Sequence, residues 1–139
     1  MSNYKFNFGE KEYELSDNNF DYMLNDEEQP VSGFDREDIL KLLSESDKVD
    51  FDVQYYDSPC EACLAGKAEK AKVFKFLEYH FYIFTKKGNY IMSSISKEYE
   101  NTTFTHLLNS GKIDNSYFVS VMVCENCGHY SMEIEQCEM

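Results

Sequence analysis

Two Cys-x-x-Cys pairs, Cys60-Glu61-Ala62-Cys63 and Cys124-Glu125-Asn126-Cys127, restrict this chain more than any other feature of its sequence. Each pair places two sulfurs on one turn, and two such turns brought together by folding supply the four thiolates of a tetrahedral metal site. The pairs stand 60 residues apart, so a shared site ties the middle of the chain to its C-terminal part. The expected ligands are Cys60, Cys63, Cys124 and Cys127. Zinc is the favoured ion, although four thiolates also hold iron. A closed shell of four sulfurs leaves no open position for water, which makes the site structural by default. Cys137 and His129 are reserve donors, each more simply read as an ordinary core or surface residue.

Compartment decides how such cysteines are used. The opening Met1-Ser2-Asn3-Tyr4-Lys5-Phe6 lacks the apolar core of a signal peptide, and no run approaches the roughly 18 apolar residues of a membrane-spanning helix. A cytoplasmic protein without membrane association is expected. Cysteines stay reduced there, so the pairs point to metal or redox chemistry and away from a disulfide framework. The cysteine count of five is also odd.

The 139 residues match one domain, residues 1–139, with enough chain to bury a core without metal. Eleven Phe and 11 Tyr exclude a disordered acidic tail as the description of the whole. Thirteen Lys plus Arg stand against 26 Asp plus Glu, a formal net charge of −13. Nucleic-acid binding needs basic residues to displace counterions, so no nucleic-acid partner is expected. A protein partner, itself basic, suits such a surface better. The one basic stretch, Lys67 to Lys75 with Lys86-Lys87 beyond it, reads as a solvated face or turn.

Periodicity supplies the frame. Tyr4-Lys5-Phe6-Asn7-Phe8 and Glu12-Tyr13-Glu14-Leu15 alternate around Gly9-Glu10-Lys11 and predict a hairpin. Ser16 to Gly33 reads as a polar loop with one helical turn. Phe34 to Ser46 is a helix, with Ile39, Leu42 and Leu43 inward and Asp35 or Ser32 as its cap. Val49 to Tyr55 alternates strictly, placing Val49, Phe51, Val53 and Tyr55 inward. Leu64 to Leu77 stays open between helix and strand. Glu78 to Thr85, the Lys86-Lys87-Gly88-Asn89 turn and Tyr90 to Ile95 form a hairpin at the sheet's centre. Thr102 or Thr103 caps a short helix carrying Phe104, Leu107 and Leu108, and Gly111 ends it. Tyr117 to Val123 and Tyr130 to Glu135 pair antiparallel around the second cysteine pair. The sum is an α+β domain: a mostly antiparallel sheet, two helices and a four-cysteine zinc-knuckle site.

Around Cys124-Glu125-Asn126-Cys127-Gly128 the chain resembles the zinc knuckles of zinc-ribbon and rubredoxin-like proteins, in which backbone amides point at the sulfurs and favour Gly after the second one. The first pair departs from that pattern, with Leu64 in place of Gly and Pro59 before Cys60. In length, opening Tyr-x-Phe-x-Phe and late Cys-x-x-Cys-Gly, the whole chain resembles one of the short uncharacterised families of anaerobic Gram-positive bacteria. That resemblance implies no activity.

The rival reading is thiol–disulfide oxidoreductase chemistry at Cys60/Cys63, because Ser58-Pro59-Cys60-Glu61-Ala62-Cys63 after an alternating strand resembles a thioredoxin active site. Against it, the chain's prolines are Pro30 and Pro59 alone, so the cis-proline of that family has no counterpart downstream. His80, His106 and His129 are dispersed, no nucleophile elbow or phosphate loop occurs, and Asp26-Glu27-Glu28 reads as solvated. The reading therefore leans away from an enzyme and toward a zinc-binding interaction protein.

Overall fold

The computed structural model describes residues 3–46, 49–56 and 74–137. The opening hairpin forms as its alternation dictates, with β1 (Tyr4–Phe8) antiparallel to β2 (Lys11–Leu15) in a separate two-stranded sheet. Tyr4, Phe6 and Phe8 share the half-buried side of β1, and Tyr13 and Leu15 are buried on β2. Phe6 stacks on Phe51 with ring centroids 4.1 Å apart, which fastens this ribbon over the main sheet.

Next come a capped 3-10 turn (Asp17–Asn19), β3 (Phe20–Leu24) and α1 (Arg36–Glu45). The strand β3 corrects the expected loop across Ser16 to Gly33. Its partner is β8 (Tyr130–Gln136), more than 100 residues away, and the two run parallel, so the sheet is mixed. A register shift between Phe20 and Tyr22 breaks the alternation that would otherwise announce a strand. The helix is capped by Asp35, whose side chain accepts from the Asp38 amide while Asp38 returns the bond. Its buried residues are Ile39, Leu40 and Leu43; Leu42 sits only half-buried at the margin, one helical position round from the expected stripe.

The remaining strands are β4 (Asp52–Tyr56), β5 (Phe74–Lys86), β6 (Asn89–Ser93) and β7 (Asn115–Cys124). The sheet runs β3-β8-β7-β5-β4, and β6 pairs the second half of β5 on the same side as β4. The β5–β6 turn places Lys87 and Gly88 at φ 52° and 80°, the two positive values that a tight two-residue hairpin requires. Because β4 is an edge strand, Tyr55 is 60% exposed instead of inward, while Phe51 is buried. The short helix α2 (Phe104–Asn109) is capped by Thr103, the second of the two expected candidates, and followed by Gly111.

One face of the sheet holds the main core. Leu77, Phe81 and Ile83 of β5, Val119, Val121 and Val123 of β7, and Met132 and Ile134 of β8 pack with α1 and the β1–β2 ribbon. On the opposite face α2 covers only one end, where Phe84, Leu107 and Ile113 form a small second cluster. No helix among the described residues is long and apolar enough to cross a membrane.

Candidate metal centre

The second cysteine pair closes the β7–β8 hairpin. Cys124 ends β7, nearly inaccessible, and its backbone amide donates to the His129 carbonyl at 2.8 Å. The Gly128 amide donates to the Cys124 carbonyl at 3.0 Å. Gly128 has φ 80°, a conformation that a Cβ would strain, and this explains the glycine read from the sequence. The turn is a tight loop between strands, with two thiols three residues apart and a left-handed glycine after the second.

The carbonyls of this turn are held from the far end of the sequence. The Tyr13 hydroxyl donates to the Glu125 carbonyl at 2.9 Å, and Lys11 Nζ donates to the carbonyls of Glu125 and Asn126 at 3.1 and 2.9 Å. Asn19 Nδ2 donates to the Gly128 carbonyl at 2.9 Å and also binds the Glu14 carbonyl. His129 Nδ1 lies 2.8 Å from Asp21 Oδ1. Burial pushes the Tyr13 hydroxyl pKa up, with the negative charges of Glu125 and Cys124 adding to the rise. A cation and two neutral donors thus grip the knuckle's outward carbonyls, which stiffens the loop that carries the thiols. Sequence reading missed this clamp, because nothing local links Lys11 or Tyr13 to a turn more than 110 residues later.

Cys60 and Cys63 lie outside the described residues. The strands that flank them are described, and their register is informative. Tyr56, the last residue of β4, stands opposite Phe74, and Phe76 stands opposite Cys124. Both strand ends therefore open at the end of the sheet where Cys124 sits. Two strand spacings and a two-residue offset put Tyr56 on the order of 12 Å from Cys124. The four residues from Tyr56 to Cys60 can span about 14 Å. Donor chemistry and reach both fit a thiophilic ion. Among the described residues, no group of three or more His, Cys, Asp or Glu is arranged to hold a metal.

The reserve ligands part company. His129 adjoins the knuckle and is engaged with Asp21 through Nδ1. Cys137 follows the opposite end of β8, where its amide donates to the Ser116 carbonyl. Six ladder steps separate the Val123–Tyr130 pair from the Tyr117–Gln136 pair, on the order of 20 Å, so Cys137 is too remote to join the knuckle.

A second constellation lies on the face away from the main core. His80 Nε2 is 2.9 Å from Glu78 Oε1, and His80 Nδ1 is 3.0 Å from Ser120 Oγ. Alternation alone places Glu78 and His80 on one face, but Ser120 joins them only through the β5–β7 register, which sets it directly opposite His80. Ser120 lies on a strand paired along both edges, so the backbone amides beside its hydroxyl are committed to the ladders. Ser120 is hydrogen-bonded to His80 and His80 to Glu78, a chain of three side chains across β7 and β5.

A family model described as "Protein of unknown function (DUF3785)" matches residues 4–139. No curated protein and no solved structure matches the chain. The match takes in both cysteine pairs, the ribbon that clamps the second of them and every strand of the mixed sheet, and the chain belongs to the DUF3785 family.

Proposed function

We propose that this chain is a non-catalytic, zinc-binding acidic protein of the cytoplasm that serves as an interaction module for a basic protein partner. Cys60, Cys63, Cys124 and Cys127 are the ligands, a zinc-ribbon-like set carrying a long insertion between its two turns. The observation that carries this reading is the register that opens β4 and β5 at the Cys124 end of the sheet, within reach of Cys60. Bound by four thiolates, zinc supplies cross-linking of the fold and no open coordination position. Lys11, Tyr13 and Asn19 orient the second knuckle, and the Lys11 cation offsets part of the thiolate charge. The interaction role draws its support from the net charge of −13.

Elemental analysis of protein purified without added metal, paired with thiol titration in native buffer, tests the centre. One zinc per chain, with Cys137 alone reacting quickly, is the expected result. Iron would announce itself by visible absorption and change the ion without changing the ligands. Metal-free protein with fast-reacting thiols at Cys60 and Cys63 would overturn the zinc reading and make thiol–disulfide exchange the leading activity.

A further inference from the structure

The sheet face opposite the main core carries an unusual combination of groups. Register places Tyr22 and Leu24 of β3, Glu133 and Glu135 of β8, Phe118 and Ser120 of β7, and His80 and Tyr82 of β5 on this one side. Tyr22, Leu24 and Tyr82 are 43%, 52% and 48% exposed. Phe118 stacks on His80 at 4.8 Å and meets Tyr82 edge-on at 5.3 Å, which makes a continuous aromatic strip. Beside that strip, Glu133 and Glu135 form an acidic row. The row continues past the sheet edge into an open groove of about 420 Å³ bounded also by Leu24, Glu27 and Glu28. Strands β3, β4, β7 and β8 contain no Lys or Arg, β5 carries Lys75 and Lys86 near its two ends, and Glu78 pairs with His80. Burial pushes the pKa of Glu133 up, and the charge of Glu135 adds to the rise.

We infer that this face, with the groove beside β8, docks an extended segment of a protein partner that presents basic residues at every second position. Charge complementarity identifies the occupant. Glu133 and Glu135 are spaced about 7 Å along their strand, the repeat of same-side residues in an extended chain. The exposed Leu24, Tyr22 and Tyr82 flank the acidic row on the same face and supply apolar contact for the aliphatic stems of the basic side chains. A second copy of this chain is a poor occupant, because a net charge of −13 makes the copies repel. This inference rests on the interaction-module reading and locates its surface; it does not depend on the zinc site.

The test is fluorescence anisotropy with a labelled, end-capped pentapeptide alternating Arg and Leu, titrated with wild-type protein, E133Q/E135Q and E10Q/E12Q. The last variant removes the same charge from the exposed end of the β1–β2 hairpin. Binding by wild type, weakened about tenfold in E133Q/E135Q and no more than about twofold in E10Q/E12Q, is expected; the tenfold loss corresponds to about 1.4 kcal/mol. Tyr82→Ala should weaken binding severalfold with the charge intact. Equal weakening in both double variants would overturn this face while leaving the interaction reading in place. Absence of peptide binding would overturn both. Spermine binding with the same dependence on Glu133 and Glu135 would reassign the face to free polycations. A wild-type dimer in sedimentation that E133Q/E135Q dissociates would reassign it to a second copy. Zinc content read on the same samples keeps failure of the metal site distinct from failure of this surface.

Discussion

The two faces of the main sheet are made by the same strands, yet they obey different rules. On one face Leu77, Phe81, Ile83, Val119, Val121, Met132 and Ile134 are almost wholly excluded from solvent. On the other, Glu78, His80, Tyr82, Phe118, Ser120 and Glu133 alternate with them residue by residue. The first face is filled by α1 and the ribbon; the second is closed by α2 at one end only. Apolar burial supplies most of the folding free energy, so the filled face carries stability. The second face keeps aromatic rings and carboxylates that folding alone does not require, and that is where a binding surface is to be sought.

Substituting neighbours on β5 breaks or sustains this contrast most sharply. Phe81→Ala empties a core position and should cost about 3–5 kcal/mol, whereas Tyr82→Ala, one residue on, should cost less than about 1 kcal/mol. Urea unfolding followed by tyrosine fluorescence gives both values. Equal costs would mean that the second face is also a core.

A smaller effect is expected where the ribbon meets the knuckle. Tyr13→Phe removes the hydroxyl that binds the Glu125 carbonyl and should cost about 1 kcal/mol. If the clamp serves the metal centre, the same variant should release zinc to a chelator faster than wild type. Unchanged release would confine Tyr13 to a packing role.

The smallest effect should be a gain. Folding raises the Glu133 pKa through burial and Glu135, so the folded state binds this proton more tightly than the unfolded chain does. Its contribution to stability therefore falls as pH rises through and above the ordinary carboxylate range. Glu133→Gln should raise Tm slightly near pH 7, and the gain should vanish in acid. Asp26 has the opposite sign: amides of Gln29, Gln136 and Glu28 lower its pKa. Its stabilisation is present above the unfolded value and lost as pH falls through the lowered folded value. Thermal melts of Glu133→Gln and Asp26→Asn from about pH 3 to about pH 7, a span that brackets the ordinary carboxylate pKa of roughly 4, check the two signs together.

How much of this was legible in the chain depended on how local each signal was. The β1–β2 and β5–β6 hairpins, the caps at Asp35 and Thr103, each one of two candidates, and the glycine after Cys127 all rest on residues within a few positions of one another. They were readable. The parallel strand β3 was not, because its register shift erases the alternation and its partner lies at the other end of the chain. Tyr55 misled because alternation states which side a residue takes and says nothing about whether that side is covered at a sheet edge.

The sequence by itself determined the α+β class, the Cys-x-x-Cys-Gly spacing of Cys124, Cys127 and Gly128, and the acidic balance of the chain. Those properties follow from local turn geometry, periodicity and charge, none of which needs a distant partner. Tertiary structure alone decided that Lys11, Tyr13 and Asn19 grip the turn from Cys124 to Gly128, that Cys137 stands at the opposite end of β8 from that turn, and that Ser120 faces His80. The facing of Ser120 and the place of Cys137 depend on strand register between segments far apart in sequence, where a shift of one residue would turn every side chain to the other face. The grip of Lys11, Tyr13 and Asn19 depends on how the separate β1–β2 ribbon and the turn after it pack against the β7–β8 turn.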